Sequence, residues 1–93
     1  MDGQNNTDIF APDQWFKQGH GPRYRQLYRH ITDAILSGDL AAETQLPPER
    51  DLAALADVSR VTVRKAVSQL VTDGLVEQRR GAGSFIRPAG PRL

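Results

Sequence analysis

With 93 residues, 39% of them apolar, and no cysteine, the chain is sized for one small packed domain and excludes a disulfide framework or a thiolate metal site. His20 and His30 stand apart from other ligands at metal-binding spacing, and no apolar run nears the ~18 residues of a membrane span. The net charge of +1 divides unevenly: residues 1–58 carry five basic and nine acidic side chains, residues 59–93 seven and two, so the C-terminal third suits a polyanion unless its charge is only a solvated face.

The opening Met1-Asp2-Gly3-Gln4-Asn5-Asn6 is polar and acidic. It is no secretory signal, and the protein is expected in the cytoplasm. Residues 1–20 read as an N-terminal tail, within which Asp13–Lys17 can form one helical turn that docks its aromatics. A domain is expected over 21–88. Its first helix runs from about Pro22 to Ser37, where Tyr24, Leu27, Tyr28, Ile31, Ala34 and Ile35 recur in three- and four-residue steps. Gly38 stops it. Leu40 and Leu46 flank a polar turn and should return to the core.

A second helix follows Pro47-Pro48, with Glu49 in its first turn favouring the helix dipole. Leu52, Ala53, Leu55 and Ala56 form its buried side, and it ends near Asp57-Val58. Ser59 is a good N-cap for a third helix reaching Asp73. There Val63, Ala66, Val67 and Leu70 face inward, leaving Arg60, Val61, Arg64, Lys65 and Ser68 outside, and Gly74 closes the helix. The period then changes. Leu75–Arg79 and Ser84–Arg87 alternate around Arg80-Gly81-Ala82-Gly83, a β-hairpin signal. After Pro88, residues 89–93 read as the start of a linker.

Three helices followed by a hairpin make a mainly α fold with the order of a winged helix-turn-helix. The short turn at Val58-Ser59 would present the third helix by its N-terminal end to the major groove of DNA. Arg60 and Arg64, one turn apart, suit bidentate contacts to guanine edges, although each is also an ordinary surface charge. Ser59 and Thr62 offer hydroxyls, Val61 an apolar contact for a thymine methyl, and Lys65 a phosphate contact. In the hairpin, Gly81 and Gly83 allow a close backbone approach, with Arg79 and Arg80 beside them for phosphate or the minor groove. Those glycines equally suit a plain turn. Arg50 either reaches a phosphate or pairs with Glu43 or Asp51.

Four segments together resemble the DNA-binding domain of the GntR family of bacterial regulators. They are Leu46-Pro47-Pro48-Glu49-Arg50-Asp51-Leu52-Ala53, Val58-Ser59-Arg60-Val61-Thr62-Val63-Arg64-Lys65-Ala66, Asp73-Gly74-Leu75-Val76 and Gly81-Ala82-Gly83-Ser84-Phe85-Ile86. The likeness covers roughly 22–87. It implies a backbone contact from Arg50, major-groove reading by Ser59, Arg60, Thr62 and Arg64, and a minor-groove approach by Gly81, with Arg80 beside it. Two positions depart from the family pattern. Pro48 stands where Ser is usual, and Asp57 where Gly is common, although Asp tolerates a left-handed backbone.

The segment Val61–Val67 looks most like the HutC-type subfamily. That resemblance implies a metabolite-responsive repressor binding a pseudo-palindromic operator in double-stranded DNA as a homodimer, with its small-molecule effector bound outside this chain. No cofactor, metal or membrane is expected. Two alternatives compete. Some GntR-like domains precede an aminotransferase-like domain that binds pyridoxal phosphate, but residues 1–93 hold no acid/base pair, activated nucleophile or phosphate-cradling lysine loop, so the chain is not expected to be an enzyme. A winged helix can also serve a protein partner.

Overall fold

The computed structural model describes residues 9–88. Helix α1 spans Pro12–Trp15, α2 Arg23–Ser37, α3 Glu49–Ala56 and α4 Arg60–Thr72, and strands β1, Val76–Arg79, and β2, Gly83–Ile86, form an antiparallel hairpin. The three predicted helices are α2, α3 and α4, and the wing is β1–β2. No helix among the described residues is long and apolar enough to cross a membrane. The linker read at 89–93 and the first eight residues of the tail lie outside the described residues.

Pro22 precedes α2 in an extended conformation, which relieves the helix of an N–H that would lack a partner. The stripe from Leu27 through Ile31, Ala34 and Ile35 is buried. At the other end Gly38 turns left-handed at φ 93°, and its N–H returns to Ala34 O. The Leu40 N–H also reaches Ala34 O, at 3.0 Å, which drops the Leu40 side chain into the core.

Helix α3 ends at Asp57, whose backbone is left-handed at φ 56° and ψ 49°. Aspartate thus takes the conformation for which glycine is the common solution, helped by its short polar side chain. Ser59 then starts α4, its Oγ accepting the Thr62 N–H at 3.0 Å. That bond satisfies one of the free amides of the first turn. Ser59→Ala should therefore lower stability by about 1 kcal/mol, read as a lower urea midpoint with an unchanged slope.

Leu27 and Ile31 of α2, Leu52 of α3, Val63 and Leu70 of α4, Val76 of β1 and Ile86 of β2 are the largest fully buried side chains. One core therefore joins every element from α2 onward. Leu55 and Val67, expected inside, are only half-buried at its edge.

Two features go beyond the sequence reading. Residues 43–46 are not a free polar turn: they line β2, with Glu43 N–H to Ile86 O, Ile86 N–H to Thr44 O and Leu46 N–H to Ser84 O, all 2.8 Å. Left-handed Glu43, φ 70°, starts this run. The second, at the N-terminus, corrects the reading of a tail, although the helical turn expected within it is present as α1 and docks Trp15. The segment read as a tail is packed from residue 9 on, because Phe10 and Trp15 are buried and Trp15 Nε1 donates to Phe10 O at 2.9 Å. Buried Gln26 accepts the Lys17 N–H at 2.8 Å and donates to Lys17 O and Gly21 O, while His30 Nε2 donates to Ile9 O at 2.8 Å. Short aromatic segments without long periodicity give little helical signal, yet they bury like any other apolar surface.

Candidate nucleic-acid interface

The turn Asp57–Ser59 sets the N-terminal end of α4 at the surface, where Arg60, Val61, Arg64 and Lys65 are exposed and Thr62 is half-buried. Val61 is 56% exposed, a large apolar side chain held in solvent beside the two arginines. Ser59 and Thr62 are partners of each other: their hydroxyl oxygens lie 2.9 Å apart, in addition to the capping bond. Lys65 leans over Tyr24 of α2, its Nζ 5.2 Å from the ring centroid, an arrangement in which ring and cation attract weakly in solvent.

Glu49 of α3 joins Arg60 and Arg64. Arg60 Nε donates to Glu49 Oε1 at 3.0 Å, and Arg64 donates twice, from Nε to Oε2 at 2.8 Å and from Nη2 to Oε1 at 3.0 Å. The Arg64 hydrogen bonds, opposed next by burial and then aided by the Arg60 hydrogen bond, hold the Glu49 carboxyl below its ordinary value. The same pairing raises Arg64. Both arginine side chains remain about three-fifths exposed, at 61% and 60%, so their outer nitrogens face solvent. Sequence reasoning placed Glu49 only at a helix dipole. Its position before the two arginines in the chain carries no periodic signal, since the contact exists only through the α3–α4 packing.

Arg50 points away from this cluster. Its side chain is 83% exposed and Asp51 is its nearest carboxylate, at 3.9 Å. The other candidate partner, Glu43, pairs instead with Arg79 Nη2 at 3.2 Å.

The wing divides its residues between two roles. Arg79 is engaged within the protein: besides Glu43, its Nε donates to Glu77 at 3.4 Å, and its guanidinium lies 4.2 Å over the Phe85 ring. Its hydrogen bonds to Glu43 and then to Glu77 raise its pKa. Arg80 and Gly81 form the exposed tip, with Gly81 at φ 78° facing open space. Gly83, φ 115°, serves the fold. Gln45 Nε2 donates to Ala82 O at 2.8 Å, and a Cβ on Gly83 would stand 2.6 Å from that nitrogen. Gln45, Phe85 and Glu43 are thus the wing's supports, none of them visible as such in the sequence.

A cleft of about 260 Å³ lies between wing and helices, lined by Glu49 and Arg64 on one side and Ala82, Gly83 and Ser84 on the other. Arg64 of α4 and the wing residues Ala82 and Gly83 therefore open onto one cleft. Of the sequence-predicted residues, Arg60, Val61, Thr62, Arg64 and Lys65 lie together on α4. Arg80 and Gly81 lie at the exposed turn of the hairpin, Arg50 has only Asp51 as a carboxylate partner among the described residues, and Ser59, Arg79 and Gly83 are tied up in internal contacts. Among the described residues no group of His, Asp and Glu is placed to hold a metal ion.

Proteins similar to this chain in sequence and shape include transcription regulators. The chain is 39% identical over 70 residues to the HTH-type transcriptional repressor NagR of Bacillus subtilis, covering 75% of this chain and 29% of that protein. It is 41% identical over 69 residues to the mannosyl-D-glycerate transport/metabolism system repressor MngR of Escherichia coli, covering 74% and 29%. The HutC-type reading is compatible with both. The chain thus spans less than a third of the length of these relatives. In shape it is similar to the DNA-binding domain of AraR in complex with operator ORX1, at TM-score 0.68 and 32% identity over 76% of this chain and 86% of that one. It is also similar to a GntR family transcriptional regulator from Listeria monocytogenes, at TM-score 0.72 and 26% identity over 77% and 62%. Residues 23–86, every element from α2 to β2, match the family described as bacterial regulatory proteins, gntR family, and the chain belongs to that family.

Proposed function

We propose that this chain is the sequence-specific DNA-binding part of a metabolite-responsive transcription regulator, a repressor of HutC type acting in the cytoplasm. The N-terminal end of α4 enters the major groove, Arg60 and Arg64 read guanine edges, and Val61 and Thr62 complete the base contacts. Arg50, Lys65 and Arg80 contact phosphates, and the Gly81 tip approaches the minor groove. The observation that carries this reading is the pairing of two exposed guanidinium groups at the start of α4, of which Arg64 lines the cleft beside the wing. Two copies bind a pseudo-palindromic operator, each on one half-site. The effector binds outside residues 1–93, in keeping with the small share of its relatives' length that the chain covers. Arg79, held by Glu43 and Glu77, supports the wing and makes no DNA contact of its own.

Fluorescence-anisotropy titrations of labelled duplexes across a salt series test this assignment. Arg80→Ala should weaken binding to all sequences alike and make the salt slope shallower by about one unit. A loss confined to one base position would place Arg80 on a base instead.

A further inference from the structure

The Glu49 carboxylate is shared unevenly and geometrically between two cations. Its Oε1 accepts from both Arg60 Nε and Arg64 Nη2, each at 3.0 Å, and its Oε2 accepts from Arg64 Nε at 2.8 Å. A guanidinium has five N–H donors in a rigid planar fork. Arg60 uses only its Nε–H, and Arg64 its Nε–H and one Nη2–H, so among the described residues both Nη groups of Arg60, and Nη1 and the second Nη2–H of Arg64, have no partner. Those N–H groups can supply the two parallel donors a guanine O6/N7 edge accepts. Because one oxygen accepts from both groups, the two guanidinium groups are held next to each other at the start of α4, and neighbouring base pairs lie about 3.4 Å apart along a strand.

We propose that Glu49 is a positioning residue for base recognition: its carboxylate aligns the forks of Arg60 and Arg64 so that together they read two adjacent base pairs. This rests on the major-groove reading of α4 given above. Two consequences follow from the geometry. Arginine side chains already ordered lose less rotamer freedom when they meet the bases. The carboxylate also cancels one of the two positive charges, which lowers attraction to phosphates, the contacts that carry no sequence information. Glu49 therefore favours discrimination over bulk affinity. A residue that only tied α3 to α4, or only favoured the helix dipole, would change binding to all duplexes equally.

The test uses the 93-residue chain and its Glu49→Gln, Glu49→Asp, Arg60→Ala and Arg64→Ala variants. Each is titrated against the duplex that wild type prefers, its single-base variants and a random-sequence duplex, over a salt series, with thermal melts to verify folding. Glu49→Gln should bind the random duplex at least as tightly as wild type, with a steeper salt slope. It should bind the preferred duplex about tenfold less tightly and lose preference at two adjacent positions together, the same two that Arg60→Ala and Arg64→Ala relax one at a time. Glu49→Asp keeps the charge but is one methylene short. It should restore the weak random-duplex binding without restoring full preference. The proposal is overturned if Glu49→Gln keeps wild-type preference at both positions, or if it weakens binding to every duplex by the same factor. A wild type that itself shows no preference would overturn the major-groove reading instead.

Discussion

Arg64→Ala is expected to weaken binding to the preferred duplex by roughly 5- to 150-fold, the equivalent of about 1–3 kcal/mol, and to relax selectivity at a single base position. Arg64 has the room to do this: its side chain is 60% exposed and lies near the start of α4, on the face shared with the wing. The fold should survive the change. An exposed ion pair contributes about 0–1 kcal/mol to stability, and Glu49 keeps Arg60 as a partner at 3.0 Å. A titration against all single-base variants of the site checks this. The decisive pattern is a drop of similar size for most sites, with the penalty for substitution vanishing at one position. Equal loss on every sequence would make Arg64 a phosphate contact.

The second large effect is on stability, at a buried aromatic of α1. Trp15→Ala should destabilise the domain by about 3–5 kcal/mol, the range for truncating a buried aromatic side chain. Trp15 is only 7% exposed, its indole N–H is bonded to Phe10 O, and Phe10 is 2% exposed beneath the same segment. Truncation opens a cavity and frees the segment from α2, since few other contacts hold it: Gln26 to Lys17 and Gly21, and His30 to Ile9. Urea unfolding followed by far-ultraviolet circular dichroism would measure the change. A loss under about 1 kcal/mol would show that residues 9–20 are dispensable to the core.

The contrast between α2–α4 and this N-terminal segment explains what was legible in the sequence. Leu27, Ile31, Ala34 and Ile35 recur at helical period, Ser59 has the side chain a cap requires, and Gly81 and Gly83 punctuate two alternating runs. Each is a local signal, and each has its counterpart in the structure. Asp57 was readable too, because the chemistry that lets aspartate replace glycine in a left-handed turn is local.

What escaped depends on contacts between residues distant in the chain. Phe10, outside the turn expected at Asp13–Lys17, has no period to announce its burial. Gln45 reaches Ala82 and Glu43 reaches Arg79 only because residues 43–46 run beside β2. Glu49 is the most consequential case. In sequence it is a favourable charge in the first turn of a helix. In the fold it is the partner of both arginines assigned to the bases. Helix-turn-helix packing creates that relation, and no spacing rule in a single chain describes it. Arg79 shows the reverse: its composition suggested a phosphate contact, whereas two carboxylates and a ring already surround it.

The central claim is that α4 reads DNA sequence, and selection from a random duplex pool tests it most directly. The chain is used both alone and held in pairs by a fused coiled coil, and the best duplex is then titrated against salt. The account predicts enrichment of a short motif, two-fold symmetric when the chain is paired, and a log–log salt slope of about −0.9 for each neutralised phosphate. No enriched motif from either form, with binding that is weak and indifferent to salt, would contradict it and direct the search to a protein partner for the winged helix.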